Sequence, residues 1–212
     1  MRCTHFVIVP AIVMLAISAA EAQTSAAPPR YFADVNAAAT LGHKSDKAFG
    51  GEFGMQITLG FDVFVEGGHM GNVATTDLDD RAQLIASGFG ATVGSTAEKV
   101  NFFDAGVRYR IPITSNRWRP YVALGFGVAS VSREVAFSLN PDEFGVELGQ
   151  DLSGSLVKAL LMIGVGGDVD FGRRYFAGLS YRYGHIFPRG GAIENDVSIP
   201  TQRVQGAVGL KF

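Results

Sequence analysis

The chain has 212 residues, with 18 Lys and Arg against 20 Asp and Glu and a formal net charge of −2. That balance argues against a nucleic-acid partner, which would need a basic surface. The 27 glycines argue against a helical protein, because each Gly inside a helix costs about 1 kcal/mol relative to Ala.

At the N-terminus, Arg2 precedes an apolar run from Phe6 to Ile17, followed by Ser18, Ala19, Ala20, Glu21 and Ala22. A charged start, an apolar middle and an A-x-A exit define a secretory signal peptide. The run would rise only about 18 Å as a helix, too little for a hydrocarbon core of about 30 Å. Cleavage is expected before Gln23, giving a signal over 1–22 and one mature domain over 23–212. The only cysteine, Cys3, leaves with the signal. Disulfides and Cys-based metal sites are therefore not expected, and no cofactor is.

Beyond the signal, apolar residues recur with period two, the mark of two-faced strands. In chain order, Ala33, Val35, Ala37, Ala39 and Leu41 share one face of the first segment. Phe53, Met55, Ile57 and Leu59 stand opposite Glu52, Gly54, Gln56 and Thr58 in the second. Val63 and Val65 oppose Phe64, Glu66 and Gly68 in the third, whose upper end from Gly67 to His69 is not clearly two-faced. Phe103, Ala105, Val107, Tyr109 and Ile111 oppose Asp104, Gly106, Arg108 and Arg110 in the fourth.

The fifth segment sets Val122, Leu124, Phe126 and Val128 against Tyr121, Ala123, Gly125, Gly127 and Ala129. The sixth sets Val157, Ala159, Leu161, Ile163 and Val165 against Lys158, Leu160, Met162, Gly164 and Gly166. The seventh sets Ala177, Leu179, Tyr181 and Tyr183 against Gly178, Ser180, Arg182 and Gly184. The last sets Val204, Gly206, Val208, Leu210 and Phe212 against Arg203, Gln205, Ala207, Gly209 and Lys211. Each segment reaches about 9–11 residues, enough for a tilted strand to cross a membrane.

Connections alternate in length. Leu59 to Asp62, Ile111 to Trp118 and Asp170 to Arg174 are tight. Long stretches follow Gly71, Ser130 and His185, and only Gly42 to Lys47 breaks the pattern. Short periplasmic turns and long external loops have this rhythm. The stretches Asn72 to Lys99 and Val131 to Ser153 are expected outside.

The faces rich in Val, Leu, Ile and Phe carry no charge within the strand cores, whereas the opposite faces carry the charges and most of the small residues. A soluble barrel would reverse this. An apolar band around eight strands requires lipid. Tyr31, Phe61, Tyr109, Trp118, Phe171, Tyr175 and Phe212 cluster towards the turns, as in an interfacial girdle. The expected fold is all-β, an eight-stranded antiparallel up-and-down transmembrane barrel.

The final strand, with Gln205, Val208, Leu210 and a terminal Phe212, resembles the C-terminal signal read by outer-membrane assembly machinery. Arg119-Pro120-Tyr121-Val122-Ala123-Leu124-Gly125-Phe126-Gly127 and Leu179-Ser180-Tyr181-Arg182-Tyr183-Gly184 resemble strands of the small outer-membrane β-barrel domain family. That family includes opacity-type and porin-like surface proteins. The resemblance implies the bacterial outer membrane. It also implies outer-membrane lipid, lipopolysaccharide and assembly machinery as partners, with an extracellular ligand held through the loops.

Six charges are expected inside: Glu52, Glu66 and Asp104 on three adjacent strands, Arg182 and Arg203 on the last two, and Arg108 lower on the fourth. Charges enclosed by a membrane are costly unless paired, and eight-stranded barrels are filled by side chains. An ion-pair plug is expected, with a narrow small-solute channel as the alternative.

Tyr181-Arg182-Tyr183-Gly184-His185-Ile186-Phe187, followed by Glu194, resembles the end of a lipid A deacylase barrel. There a Ser two residues after the His completes a hydrolytic pair. Phe187 occupies that position here and Pro188 follows, while Ser180 and Ser198 are out of register. Nucleophilic catalysis needs the hydroxyl beside its base, so no catalytic residue is assigned. Asp46, Asp77, Asp79 and Asp80 lack calcium-loop spacing and are expected as solvated loop charge. The expected role is non-enzymatic: structural, adhesive or recognitional. A lipid A hydrolase, a narrow channel and a soluble periplasmic ligand-binding barrel are the alternatives.

Overall fold

The computed structural model describes residues 31–58, 60–88, 90–113, 118–138, 154–171, 174–188 and 197–212. The alternating segments form β1 (Tyr31–Leu41), β2 (Lys47–Thr58), β3 (Phe61–Met70), β4 (Thr92–Arg110), β5 (Trp118–Ser138), β6 (Gly154–Phe171), β7 (Tyr175–Ile186) and β8 (Ile199–Lys211). Each strand pairs antiparallel with its neighbours in sequence, and β1 pairs with β8, with Val35 opposite Val208. Tyr31 N–H donates to the Phe212 carbonyl at 2.9 Å and Phe212 N–H returns the bond at 3.0 Å. Closure removes every sheet edge, as the interior of a bilayer demands.

Phe53, Leu124, Phe126, Val165, Leu179 and Val208 all face outward and are exposed. From Trp118 to Val128 the outward row of β5 covers about 33 Å of strand at 3.3 Å per residue. At a tilt of about 40° that rises about 25 Å, the height of a membrane barrel's apolar band. Tyr31, Phe61, Tyr109, Trp118, Phe171, Tyr175 and Phe212 are all exposed at its lower rim. Tyr31 stacks on Phe212 with centroids 6.0 Å apart, and Phe61 meets Tyr109 at 4.9 Å. At the upper rim the outward face turns polar, from Phe103 to Asn101, from Val128 to Ser130 and from Val157 to Ser155. There His69 bonds Asn101 at 2.8 Å.

Four expectations change. β4, β5 and β6 run 19, 21 and 18 residues, well beyond membrane length. Their polar outer halves continue pairing from Asn101 opposite Ser130 to Thr92 opposite Ser138. Most of the expected loop Asn72 to Lys99 is therefore ordered structure: a helix, α1 (Thr76–Gly88), and the start of β4. Asp77 and Asp79 occupy the first turn of α1, where the helix dipole favours negative charge. After α1, Gly90 adopts φ +64° and Ala91 N–H bonds the Ala86 carbonyl at 2.9 Å. This is a Schellman stop, in a conformation side-chain-bearing residues resist. Asp62 belongs to β3 and points inward instead of lying in a turn. Finally, β3 keeps its two faces to Met70, which is buried.

The lumen is filled in layers. Phe32, Phe64, Tyr121, Ala123, Met162 and Phe176 form a lower cluster. An upper one centres on Met70, Val100, Phe102, Val131, Leu160 and Ile186. No helix among the described residues is long and apolar enough to cross a membrane; the strands do so. The segment 1–22 with its cleavage site, residues 139–153 of the second expected loop, and Glu194 lie outside the described residues.

Candidate functional site

Between the two apolar layers the lumen carries charge. Inward parity places Glu52 on β2, Glu66 on β3, Asp104 and Arg108 on β4, Arg182 on β7 and Arg203 on β8, all buried. Arg108 donates to Glu52 Oε1, and Arg182 Nη2 donates to Glu52 Oε2 at 2.9 Å. Arg182 Nη2 also lies 4.0 Å from Glu66 Oε2, whose Oε1 accepts from Arg203 Nη2 at 2.7 Å. Arg108 Nη1 lies 3.9 Å from Asp168. The result is an alternating line, Asp168–Arg108–Glu52–Arg182–Glu66–Arg203, in which each glutamate lies between two guanidiniums. Such pairing offsets the cost of enclosing charge in a low-dielectric interior.

The remaining faces of the guanidiniums meet aromatic rings. Arg108 Cζ is 4.1 Å from the Tyr121 centroid, and Arg203 Cζ is 4.3 Å from that of Phe102. Glycine makes the room: a Cβ on Gly164 would stand 2.7 Å from Arg182 Cδ. Asp104 departs from the expected network. Among the described residues neither of its carboxylate oxygens has a hydrogen-bond partner, and it forms no ion pair. It packs instead against Gly125 and Gly127 and shares a small space of about 10 Å³ with Arg182 and Arg203.

A second tier, absent from the sequence reading, lies towards the periplasm. Arg110 pairs with Asp62 at 2.7 Å and with Asp168 at 3.7 Å. Arg119 and Lys211 share Asp170, the latter at 2.5 Å. The signal was present, since Asp62 shares parity with Glu66, and Asp168 with Gly164 and Gly166. Asp62 and Asp170 fall within the expected turns and Asp168 beyond the expected end of the sixth segment, which hides the partners of the inward Arg110 and Lys211.

The external mouth is tied by side chains of the β1–β2 and β3–β4 connections and of the outer ends of β4 and β5. His43 Nε2 lies 2.8 Å from Asp79 Oδ2, and Lys44 Nζ donates to Asp79 Oδ1 at 3.1 Å. The Thr96 hydroxyl bonds both Asp79 and Lys44. Asn72 donates to the Thr96 carbonyl at 3.0 Å and accepts from Glu98 N–H at 3.1 Å. Arg133 bonds Glu98 at 2.6 Å. α1 packs on β4 through this cap and buries Leu78, Ala82 and Ala86. Partial burial would raise Asp79. Hydrogen bonds from Thr96, His43 and Lys44 outweigh it and hold the carboxyl below its ordinary value of 3.8. The amides of Asn72 and Lys47 likewise hold Asp46 low. These two aspartates are thus structural ties, contrary to the expected free loop charge.

His185 faces outward on β7, its ring edge-on to Phe187 at 4.7 Å. Ser180 is buried on the opposite, inward face. No serine takes the place Phe187 occupies. Among the described residues no cluster of His, Cys, Asp and Glu has metal-holding geometry.

The family profile described as outer membrane protein beta-barrel domain matches residues 9–212. No curated protein matches. Among solved structures, the chain is similar to neisserial surface protein A (NspA), with a TM-score of 0.53 and 16% identity over 87% of this chain and 97% of that one. It is also similar to Ail, the attachment invasion locus protein of Yersinia pestis, in complex with the heparin analogue sucrose octasulfate. That TM-score is 0.50, with 16% identity over 88% of this chain and 100% of that one. These likenesses concern the fold. The chain belongs to the outer membrane protein beta-barrel domain family and resides in the bacterial outer membrane as a closed eight-stranded barrel.

Proposed function

We propose that this barrel is a non-enzymatic outer-membrane protein whose lumen is a static plug and whose external end serves structure and surface recognition. One observation carries the reading: the alternating charge line seals the lumen, while β4, β5 and β6 extend past the membrane as a wall braced by α1. Loops on a rigid scaffold are the usual hosts of binding. Ail, a barrel of similar fold, has been crystallised with a heparin analogue, which supports an extracellular ligand here. Residues 1–22 are a cleaved export signal. The terminal strand through Gln205, Val208, Leu210 and Phe212 is read by the assembly machinery, and lipid and lipopolysaccharide surround the band.

The test combines two measurements on the purified barrel with one on cells that display it. Planar bilayers should show negligible conductance, and lipid A should release no fatty acid. Cells displaying the protein should bind immobilised glycans or matrix proteins, and lose that binding when segments 139–153 and 189–196 are replaced by short turns in a barrel that still folds. Steady conductance or acyl release would overturn the reading. So would binding that survives the exchange.

A further inference from the structure

Of the six charges expected in the lumen, only Asp104 stands outside the alternating line. It is fully buried. Register sets it opposite Glu66, a pairing that like charges make unfavourable, and Gly125 and Gly127 of β5 lie against it. Among the described residues neither of its oxygens meets a donor. A buried acceptor left so bears its whole desolvation cost. The space of about 10 Å³ beside it is lined by Arg182, Arg203 and Thr201, with Met70 of the upper apolar layer and Met162 of the lower one. All of these residues are buried, so the space is enclosed. The arginine donors around it meet weak acceptors. Arg182 Nη1 donates to Met162 Sδ at 3.4 Å and Arg203 Nη1 to Met70 Sδ at 4.0 Å, and a thioether accepts poorly. Each of those nitrogens carries a second hydrogen. Arg182 Nε, too, has no partner among the described residues.

We propose that this space is a binding site for one water molecule, which donates to the Asp104 carboxylate and accepts from the guanidiniums of Arg182 and Arg203. Size selects a single small molecule, because a cavity of about 10 Å³ has room for one water-sized sphere. Charge selects a neutral one. The walls carry both signs, so an anion would be repelled by Asp104 and a cation by two guanidiniums. A water offers its hydrogens to the first and its lone pairs to the others. Buried waters typically make about three hydrogen bonds to otherwise unmet polar groups, and three such groups converge here. Asp104 has a short side chain that reaches neither arginine directly. The water supplies the missing length and joins Asp104 to the line, so that all six lumen charges form one connected network.

The test is a crystal structure of the full mature barrel at a resolution that places single waters. One isolated peak is expected within about 3.2 Å of an Asp104 oxygen and of a guanidinium nitrogen of Arg182 or Arg203. Crystals soaked in bromide, and others soaked in rubidium, should show no anomalous signal there. Asp104→Asn keeps an acceptor of the same size and should keep the peak. Asp104→Leu, whose apolar branch enters the space, should lose it. A heat-modifiability gel verifies that each variant is folded, and if Asp104→Leu does not fold, the wild-type and Asp104→Asn maps decide. A wild-type map with no peak would overturn the proposal, as would a direct bond from Asp104 to either arginine. An anomalous signal would overturn it too, by making an ion the occupant. So would a peak that survives in Asp104→Leu, since the arginines alone would then hold the water.

Discussion

Arg182 on β7 donates to Glu52 on β2 across the lumen at 2.9 Å, and the other oxygen of the same carboxylate is held by Arg108 of β4. One glutamate thus joins three strands that are not neighbours in the sheet. The plug is a cross-brace as well as a seal.

Removal of that glutamate leaves two buried guanidiniums short of a partner. Glu52→Ala should lower stability by about 3–5 kcal/mol, measured by reversible unfolding in lipid vesicles. Adding Arg182→Ala should restore part of the loss, with a coupling of about 0.5–3 kcal/mol. Strict additivity would show that the line does not act as a unit.

Leu124 lies midway along the outward row of β5 and is exposed. Leu124→Arg should cost about 2–4 kcal/mol at the bilayer midplane. Ser130→Arg, above the apolar band, should cost little. Equal costs in the same unfolding assay would place the membrane elsewhere on the barrel.

The cap should be acid-labile. Because the Asp79 carboxyl sits below its ordinary value of 3.8, its contribution is complete above that value and is lost as pH falls through the lowered one. Spin labels at Gly42 and Leu84 should keep a narrow distance distribution at neutral pH and broaden only below about pH 4. Asp79→Asn should be broad throughout. A narrow distribution in that variant would show that the cap is held by other contacts.

Export should remove residues 1–22, because Ala20-Glu21-Ala22 fits a signal-peptidase site. Intact mass measurement of the protein from outer-membrane fractions should begin at Gln23. A mass that retains Met1 would refute cleavage.

Side-chain parity was legible in the sequence, because it is local. Successive residues of a strand point to opposite faces whatever the strand pairs with. Val122, Leu124 and Phe126 therefore declared the lipid face, and Glu52, Glu66 and Arg182 the lumen, before any partner was known. The number of strands followed from the same alternation. The identity of the pairs was not legible. Glu52 and Arg182 lie 130 residues apart, and their meeting depends on the stagger accumulated around the closed barrel. The same stagger brings Asp104 beside Glu66 and into one small space with Arg182 and Arg203, yet leaves it without a direct bond to either. The outer halves of β4 to β6 carry polar residues on their exposed side and looked like loop; cross-strand pairing above the membrane makes them strand. α1 was likewise hidden, since its stability comes from burying Leu78, Ala82 and Ala86 and from tying Asp79 to residues far away in the chain. Local chemistry thus determined which way each residue faces. Only the closed tertiary structure, which fixes register and distance, decided which residues meet.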